Sequence, residues 1–220
     1  GDFLARNKYP EETVRLIVEE ARKLFIENGY ENTSIQDIID HLGGLSRGAI
    51  YHHFKSKEDI FEAVCQKIGD ENVLYYDKIR DDTTQNGLEK LKTVIRSAYA
   101  NPNNEAVIAM TSKIMSDPKF MMNQITASFE VVAPQYIEPI IRQGIADGSI
   151  QTDYPKELAE VLITLLNIWT NPMILPVTNA EMQQKLAFFA SLLQGIGLAL
   201  FDDEVIAQYV RYCARYHPDK

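Results

Sequence analysis

Arg47, Tyr51, His52, His53, Lys55 and Lys57 crowd into a stretch of eleven residues, with Gln36 and Ser46 shortly before it. These are hydrogen-bond donors and cations rather than a catalytic set. Arginine pairs bidentately with guanine and glutamine with adenine, while lysine, tyrosine and histidine suit phosphate oxygens. Other chemistries are poorly served. Neighbouring His52 and His53 point about 100° apart on a helix and so make no metal pair. His41 and His217 are isolated. The chain has no phosphate-binding glycine loop, His-Glu-x-x-His pair, nucleophile elbow or cysteine cluster, so no enzyme activity, metal or cofactor is expected. Cys65 and Cys213 lack metal spacing and read as buried thiols in a reducing compartment.

Two short helices and a tight turn must hold this polar group. Thr33 and Gln36 have capping-box spacing, and Ile35, Ile38, Ile39 and Leu42 follow as one apolar face. Gly43 and Gly44 stop that helix, because at least one residue there needs positive φ. Ser46 is the expected N-cap of a second helix over about Arg47 to His53, with Leu45, Ala49, Ile50 and Phe54 facing inward. Lys55-Ser56-Lys57-Glu58-Asp59 restarts a helix, Ser56 and Asp59 again standing at capping-box spacing. This is the pattern of a helix-turn-helix whose second helix fits a DNA major groove. A capped helical hairpin with no DNA role is the alternative, and the crowding of Arg47, Tyr51, His52, His53, Lys55 and Lys57 argues against it.

From Thr33-Ser34-Ile35 through Ser46-Arg47-Gly48-Ala49-Ile50-Tyr51-His52-His53-Phe54-Lys55-Ser56-Lys57, the chain resembles the DNA-binding domain of TetR-type repressors. The preceding helix fits as well: Val14, Ile17, Val18, Ala21, Leu24 and Phe25 form a stripe closed by Asn28-Gly29-Tyr30. The resemblance covers about residues 11–68. Further on, Gln143-Gly144-Ile145-Ala146-Asp147-Gly148, followed by a Pro-Lys-Glu-Leu-Ala helix start, is similar to the family's regulatory domain. There is one departure. Gly43, Gly44 and Leu45 make the turn one residue longer than the commonest family pattern of one glycine and one apolar residue.

The resemblance implies an all-α protein. Residues 1–56 would be an N-terminal three-helix helix-turn-helix domain, extending into a linking helix to about 68, and residues 57–220 a larger helical domain for effector binding and dimerisation. It implies a cytoplasmic, ligand-responsive homodimer on double-stranded operator DNA, most simply a repressor released from a palindromic site by a small apolar or amphipathic effector. The DNA-binding residues expected are Gln36, Ser46, Arg47, Gly48, Tyr51, His52, Lys55 and Lys57, with amides after Ser56 as a further anion site. The alternative is a helix-turn-helix protein whose larger domain binds another protein.

A net charge of −9 is unusual for a nucleic-acid binder. Residues 1–68 carry nine Lys/Arg against twelve Asp/Glu, a balance of −3, and the remainder −6. Position outweighs the sum, since screening confines phosphate attraction to about 8 Å. Acidity of this kind disfavours broad nucleic-acid affinity and leaves room for a focused reader. No apolar run approaches the roughly 20 residues of a membrane span, and the polar start of the chain does not read as a secretory leader.

Later segments are helical in pattern: 57 to about 81, 88–100, 104–116, 125–147, 156–171, 180–201 and 203–216. Leu158, Val161, Leu162, Leu165, Leu166 and Trp169, then Leu186, Phe188, Phe189, Leu192, Leu193, Ile196, Leu198, Leu200 and Phe201, make two segments apolar on more than one face. Such helices need cover on several sides, and a homodimer through about 156–201 supplies it. Tyr99, Met110, Met115, Phe120, Tyr136 and Trp169 are the candidates for an effector cavity, since methionines and aromatics suit an adaptable pocket. Core packing is the alternative for each of them.

Overall fold

The computed structural model describes residues 10–100, 118–172 and 174–214, and the regular structure among them is entirely helical. In chain order the elements are α1 (Pro10–Asn28), α2 (Ile35–His41), α3 (Arg47–His53), α4 (Lys57–Asp81) and α5 (Gly87–Ala100). Then follow α6 (Pro118–Ala127), a π-helical stretch π1 (Ser128–Ile137), α7 (Glu138–Asp147), α8 (Pro155–Thr164) and a second stretch π2 (Leu165–Trp169). The last are α9 (Asn179–Gly195) and α10 (Asp203–Cys213). Two compact units divide between Val73 and Leu74, a point inside α4.

The first unit is built on the apolar stripe of α1. Ile17, Val18, Ala21, Leu24 and Phe25 are buried, joined by Ile38 of α2, Ile50 of α3 and Ile60, Phe61, Val64 and Ile68 of α4. Phe25, Tyr30 and Phe61 form a triangle of aromatic rings with centroids 4.9–5.7 Å apart. Two ion pairs tie α1 to α4, Arg22 with Glu71 and Lys67 with Glu19, both at 2.9 Å. The Cys65 thiol is largely enclosed on α4, and its desolvation pushes its pKa up to about 12.

In the second unit, α5 and α7 approach so closely that glycine is required at Gly87, and Ile150 after α7 packs back against Gly144. A methyl group on Gly87 would stand 2.3 Å from the Gly144 backbone, and one on Gly144 would stand 2.5 Å from Ile150 Cδ1. The Gly87 amide donates to Asp147 Oδ2 at 2.8 Å and the Leu88 amide to Ser149 Oγ at 3.1 Å, which caps α5 from α7 and its following turn. Lys90, buried, donates to the Arg80 carbonyl at 2.7 Å and to Gln143 Oε1 at 2.6 Å. Ile137, Ile140, Ile141, Ile150, Leu158, Leu162, Leu186, Phe189 and Leu193 belong to one core. Cys213 joins it, and burial pushes this thiol up to about 12.

Several boundaries differ from the sequence pattern. The expected 125–147 segment belongs to a helical run that begins at Pro118 and passes through π1. Pro134 explains the widening: it has no amide to donate and its ring crowds the carbonyl one turn earlier. The expected 180–201 helix stops at Gly195, and Gly197 takes φ 79°. Leu198, Leu200 and Phe201 leave the helix yet stay buried as a loop over the core. The expected 104–116 helix lies outside the described residues.

Helix α9 and its C-cap Ile196 divide their apolar residues between two faces. Met182, Leu186, Phe189 and Leu193 are buried, whereas Phe188, Leu192 and Ile196 are 61, 47 and 53 % exposed. The exposed three recur every fourth residue, so they form one stripe. Val161 of α8 is also exposed.

Candidate nucleic-acid interface

The N-cap of α2 is Ser34, one residue later than the spacing of Thr33 and Gln36 indicates. The Asp37 amide donates to Ser34 Oγ at 3.1 Å, and Asp37 Oδ2 accepts from the Ser34 amide at 2.7 Å. The Ser34 hydroxyl and amide hold the Asp37 carboxyl below its ordinary range. Thr33 is instead buried, its hydroxyl placed on the Leu24 and Gly29 carbonyls at 3.2 and 2.9 Å. That hydroxyl closes the end of α1. Gln36, freed from capping, is exposed and donates to Asp40 Oδ1 at 2.7 Å.

Between α2 and α3, Gly43 and Gly44 both take positive φ, 39° and 124°. A side chain at either would be strained, so the doubled glycine is a conformational requirement. Ser46 caps α3 by accepting from the Ala49 amide at 3.2 Å. Ile50 and the C-cap Phe54 are buried, which fixes the rotation of α3 about its axis. Its opposite side is exposed at Ser46, Arg47, Gly48, Tyr51 and His52. Arg47 rests over Tyr51, its guanidinium carbon 5.5 Å from the ring centroid. His52 and His53 meet edge to face at 5.1 Å. The face therefore offers a guanidinium, a phenol and an imidazole beside an open glycine.

Lys55 and Lys57, two residues apart, are treated differently by the fold. Lys55 is exposed. The Lys57 ammonium turns inward, donating to the Tyr30 carbonyl at 2.9 Å and standing 4.1 Å from that residue's ring centroid. Just before the expected anion site at the amides after Ser56, the amides of Lys55 and Ser56 both donate to Asp59 Oδ2, at 2.8 and 3.2 Å. Tyr30 and Asp59 thus join the site, Asp59 having been read from the sequence only as a capping partner of Ser56. The Ser56–Asp59 spacing was a legible signal for the second; nothing local to Tyr30 pairs it with Lys57, 27 residues on.

Of the six effector candidates, only Tyr136 and Trp169 have described side chains. Met110 and Met115 lie outside the described residues, as do the side chains of Tyr99 and Phe120. Tyr136 is buried against Tyr76, with Arg80 over its ring at 5.6 Å. Trp169 is half-buried, 6.2 Å from Phe188, under the Lys185 ammonium. Each sits on a different π-helical stretch with different neighbours. Among the described residues no group of three His, Cys, Asp or Glu could hold a metal ion. No described helix is long and apolar enough to cross a membrane.

Residues 17–64 match the sequence profile of bacterial regulatory proteins, tetR family. The Transposon Tn10 TetC protein of Escherichia coli is 30 % identical over 194 residues, spanning 86 % of this chain and 93 % of that one. The HTH-type transcriptional repressor KstR2 of Mycolicibacterium smegmatis is 31 % identical over 147 residues, spanning 64 % and 69 %. In fold, the chain is similar to a transcriptional regulator from Cytophaga hutchinsonii, with a TM-score of 0.61 and 19 % identity over 94 % of this chain and 95 % of that one. With its capped helix-turn-helix, its exposed recognition face and relatives that span most of its length, this chain is a DNA-binding regulator and belongs to the tetR family of bacterial regulatory proteins.

Proposed function

We propose that this protein is a ligand-responsive, dimeric repressor that leaves a palindromic operator when a small apolar or amphipathic effector binds. The observation that carries the DNA half of this reading is the exposed side of α3, which presents Arg47, Gly48, Tyr51 and His52 while Ile50 and Phe54 anchor the helix from behind. Arg47 and Gln36 read base edges, and Tyr51, His52 and Lys55 take phosphates, with Ser46 setting the start of the helix. Residues 1–56, running on to about 68, form the DNA-binding domain. The rest binds effector and a second copy, and the protein acts in the cytoplasm.

The stripe of Phe188, Leu192 and Ile196, with Val161, supports a homodimer through about 156–201. A two-fold pair would bring two recognition helices to half-sites about 34–36 Å apart or a multiple of that spacing. Effector binding in the larger domain would favour a spacing of the two heads that no longer fits DNA, for a coupling of about 1–3 kcal/mol. The same stripe would also accept a different protein, which is the second reading.

Arg47→Ala tests the function. On duplex DNA from the region upstream of its own gene, the variant should lose about 1–3 kcal/mol of binding per subunit and discriminate less at one base position. A protein-binding scaffold would keep its partner through the same change. Wild-type protein whose binding to that duplex is insensitive to salt would overturn the DNA reading itself.

A further inference from the structure

The start of a helix is where a phosphate is expected, because its first amides are unpaired and carry the positive end of the dipole. At α4 a carboxylate of the chain itself stands at that place, and one of the helix's own first amides, that of Asp59, is capped from within. Asp59 Oδ2 accepts from the Lys55 and Ser56 amides, and the Asp59 amide donates to Ser56 Oγ at 3.1 Å. Beside it, Glu58 Oε1 accepts from the Tyr30 hydroxyl at 2.9 Å. The bond to its own backbone amide, then the Tyr30 hydroxyl, keep the Glu58 carboxyl below its ordinary range. The Lys55 amide does the same for Asp59. Two carboxylates therefore occupy the first turn.

The one cation in that turn is directed away from any groove. Lys57 reaches back to the corner between α1 and α2, where Tyr30 is buried against Phe25 and Phe61. Its ammonium takes both the carbonyl and the ring face of the same tyrosine, and Tyr30 returns a bond to the next residue, Glu58. This reciprocal clasp joins two corners of the unit that flank α2 and α3. The recognition helix enters it through the buried Phe54, three residues before Lys57.

We propose that Lys57 is a positioning residue, clamping the start of α4 to Tyr30 and so fixing the recognition helix, rather than a partner of DNA phosphate. The inference rests on the DNA-binding reading of α2 and α3. Of the described Lys and Arg side chains, Lys55 is then left for phosphate and Arg47 for base edges, while the others in the unit are committed. Arg15, Arg22, Lys23 and Lys67 stand in ion pairs with glutamates, and Lys57 is in the clasp.

The test compares Lys57→Gln, Lys57→Arg and Lys55→Gln in the full chain. Fluorescence anisotropy on a labelled duplex from its own upstream region, and on a mixed-sequence duplex of equal length, gives affinity across a salt series. Lys55→Gln should flatten the slope of log affinity against log salt by about 0.9 per subunit. Lys57→Gln should leave that slope as in the wild type and weaken binding to the upstream duplex by about fivefold or more, the scale of a cation–π contact with a charged hydrogen bond. Lys57→Arg, which can keep the carbonyl and the ring, should restore affinity. A slope that falls in Lys57→Gln as in Lys55→Gln makes Lys57 a phosphate contact and ends the proposal. Unchanged affinity in the folded variant also ends it, leaving a stabilising role alone. If Lys57→Gln does not fold, Lys57→Met retains the apolar stem against Tyr30 and is judged by the same two results. Wild-type protein that binds neither duplex in a salt-dependent way would remove the DNA reading, and this inference with it.

Discussion

Phe188→Ala is the sharpest probe of the proposed dimer. Phe188 is 61 % exposed in the single chain. A phenylalanine presents roughly 200 Å², so about 120 Å² of this ring awaits cover, worth about 3 kcal/mol at ~25 cal/mol per Å². In a two-fold contact the same residue counts once on each copy. Allowing for incomplete cover, losing both rings should cost about 4–6 kcal/mol, which raises the dimer dissociation constant about a thousandfold or more. Sedimentation velocity over a dilution series measures this directly. The single tryptophan gives a second reading, because Trp169 lies 6.2 Å from Phe188 and its emission should shift as the pair separates. Met122→Ala on α6, equally exposed at 60 %, serves as the control and should leave dissociation unchanged. A Phe188→Ala protein that dissociates no more readily than the wild type would refute the stripe as the interface. A wild type that is folded yet monomeric at micromolar concentration would refute the dimer.

Gly87→Ala should destabilise the protein by about 2–4 kcal/mol, an overpacking cost with a backbone that cannot step aside, because the new methyl would meet the Gly144 backbone at 2.3 Å. Gly69→Ala, inside α4 with nothing within 4 Å of the new methyl, should instead stabilise by about 0.5–1 kcal/mol. Thermal melts followed by circular dichroism should therefore move in opposite directions, and two shifts of the same sign would contradict the packing described. The capping carboxyls make a pH prediction. Asp37, Asp59 and Glu181 are all held below their ordinary range by cap hydrogen bonds, so their contribution is complete above about pH 4 and is lost as pH falls through the lower folded values. Asp59→Asn should lower the melting temperature at pH 7, and its deficit against the wild type should shrink on acidification. A deficit that persists unchanged at pH 2 would contradict the cap.

How much was legible depended on the range of the interaction. The doubled glycine was readable because the requirement is local: a helix that must stop and reverse needs positive φ, and both Gly43 and Gly44 supply it. The buried backs of α1 to α4 were equally readable, since a 3.6-residue period in apolar type is itself the signature of one covered face. The α2 cap was misread by one residue because Thr33 and Ser34 both stand three before an acceptor. The Leu24 and Gly29 carbonyls, nine and four residues back, claim the threonine for the end of α1.

Sequence alone determined what is written in short spacings: an all-helical chain, a capped helix-turn-helix, and a polar set on its second helix. Tertiary structure decided which of those polar groups are available. Lys55 and Lys57 are alike in type and differ by two residues, yet one is exposed and the other is drawn onto Tyr30. The same holds for α9, where packing selects Phe189 for the core and leaves Phe188 outside. Pattern can say that both faces of that helix are apolar, but which face the chain covers for itself depends on the helices it meets. A side chain's partners are set by distance in space, and for Lys57 that partner lies 27 residues back along the chain.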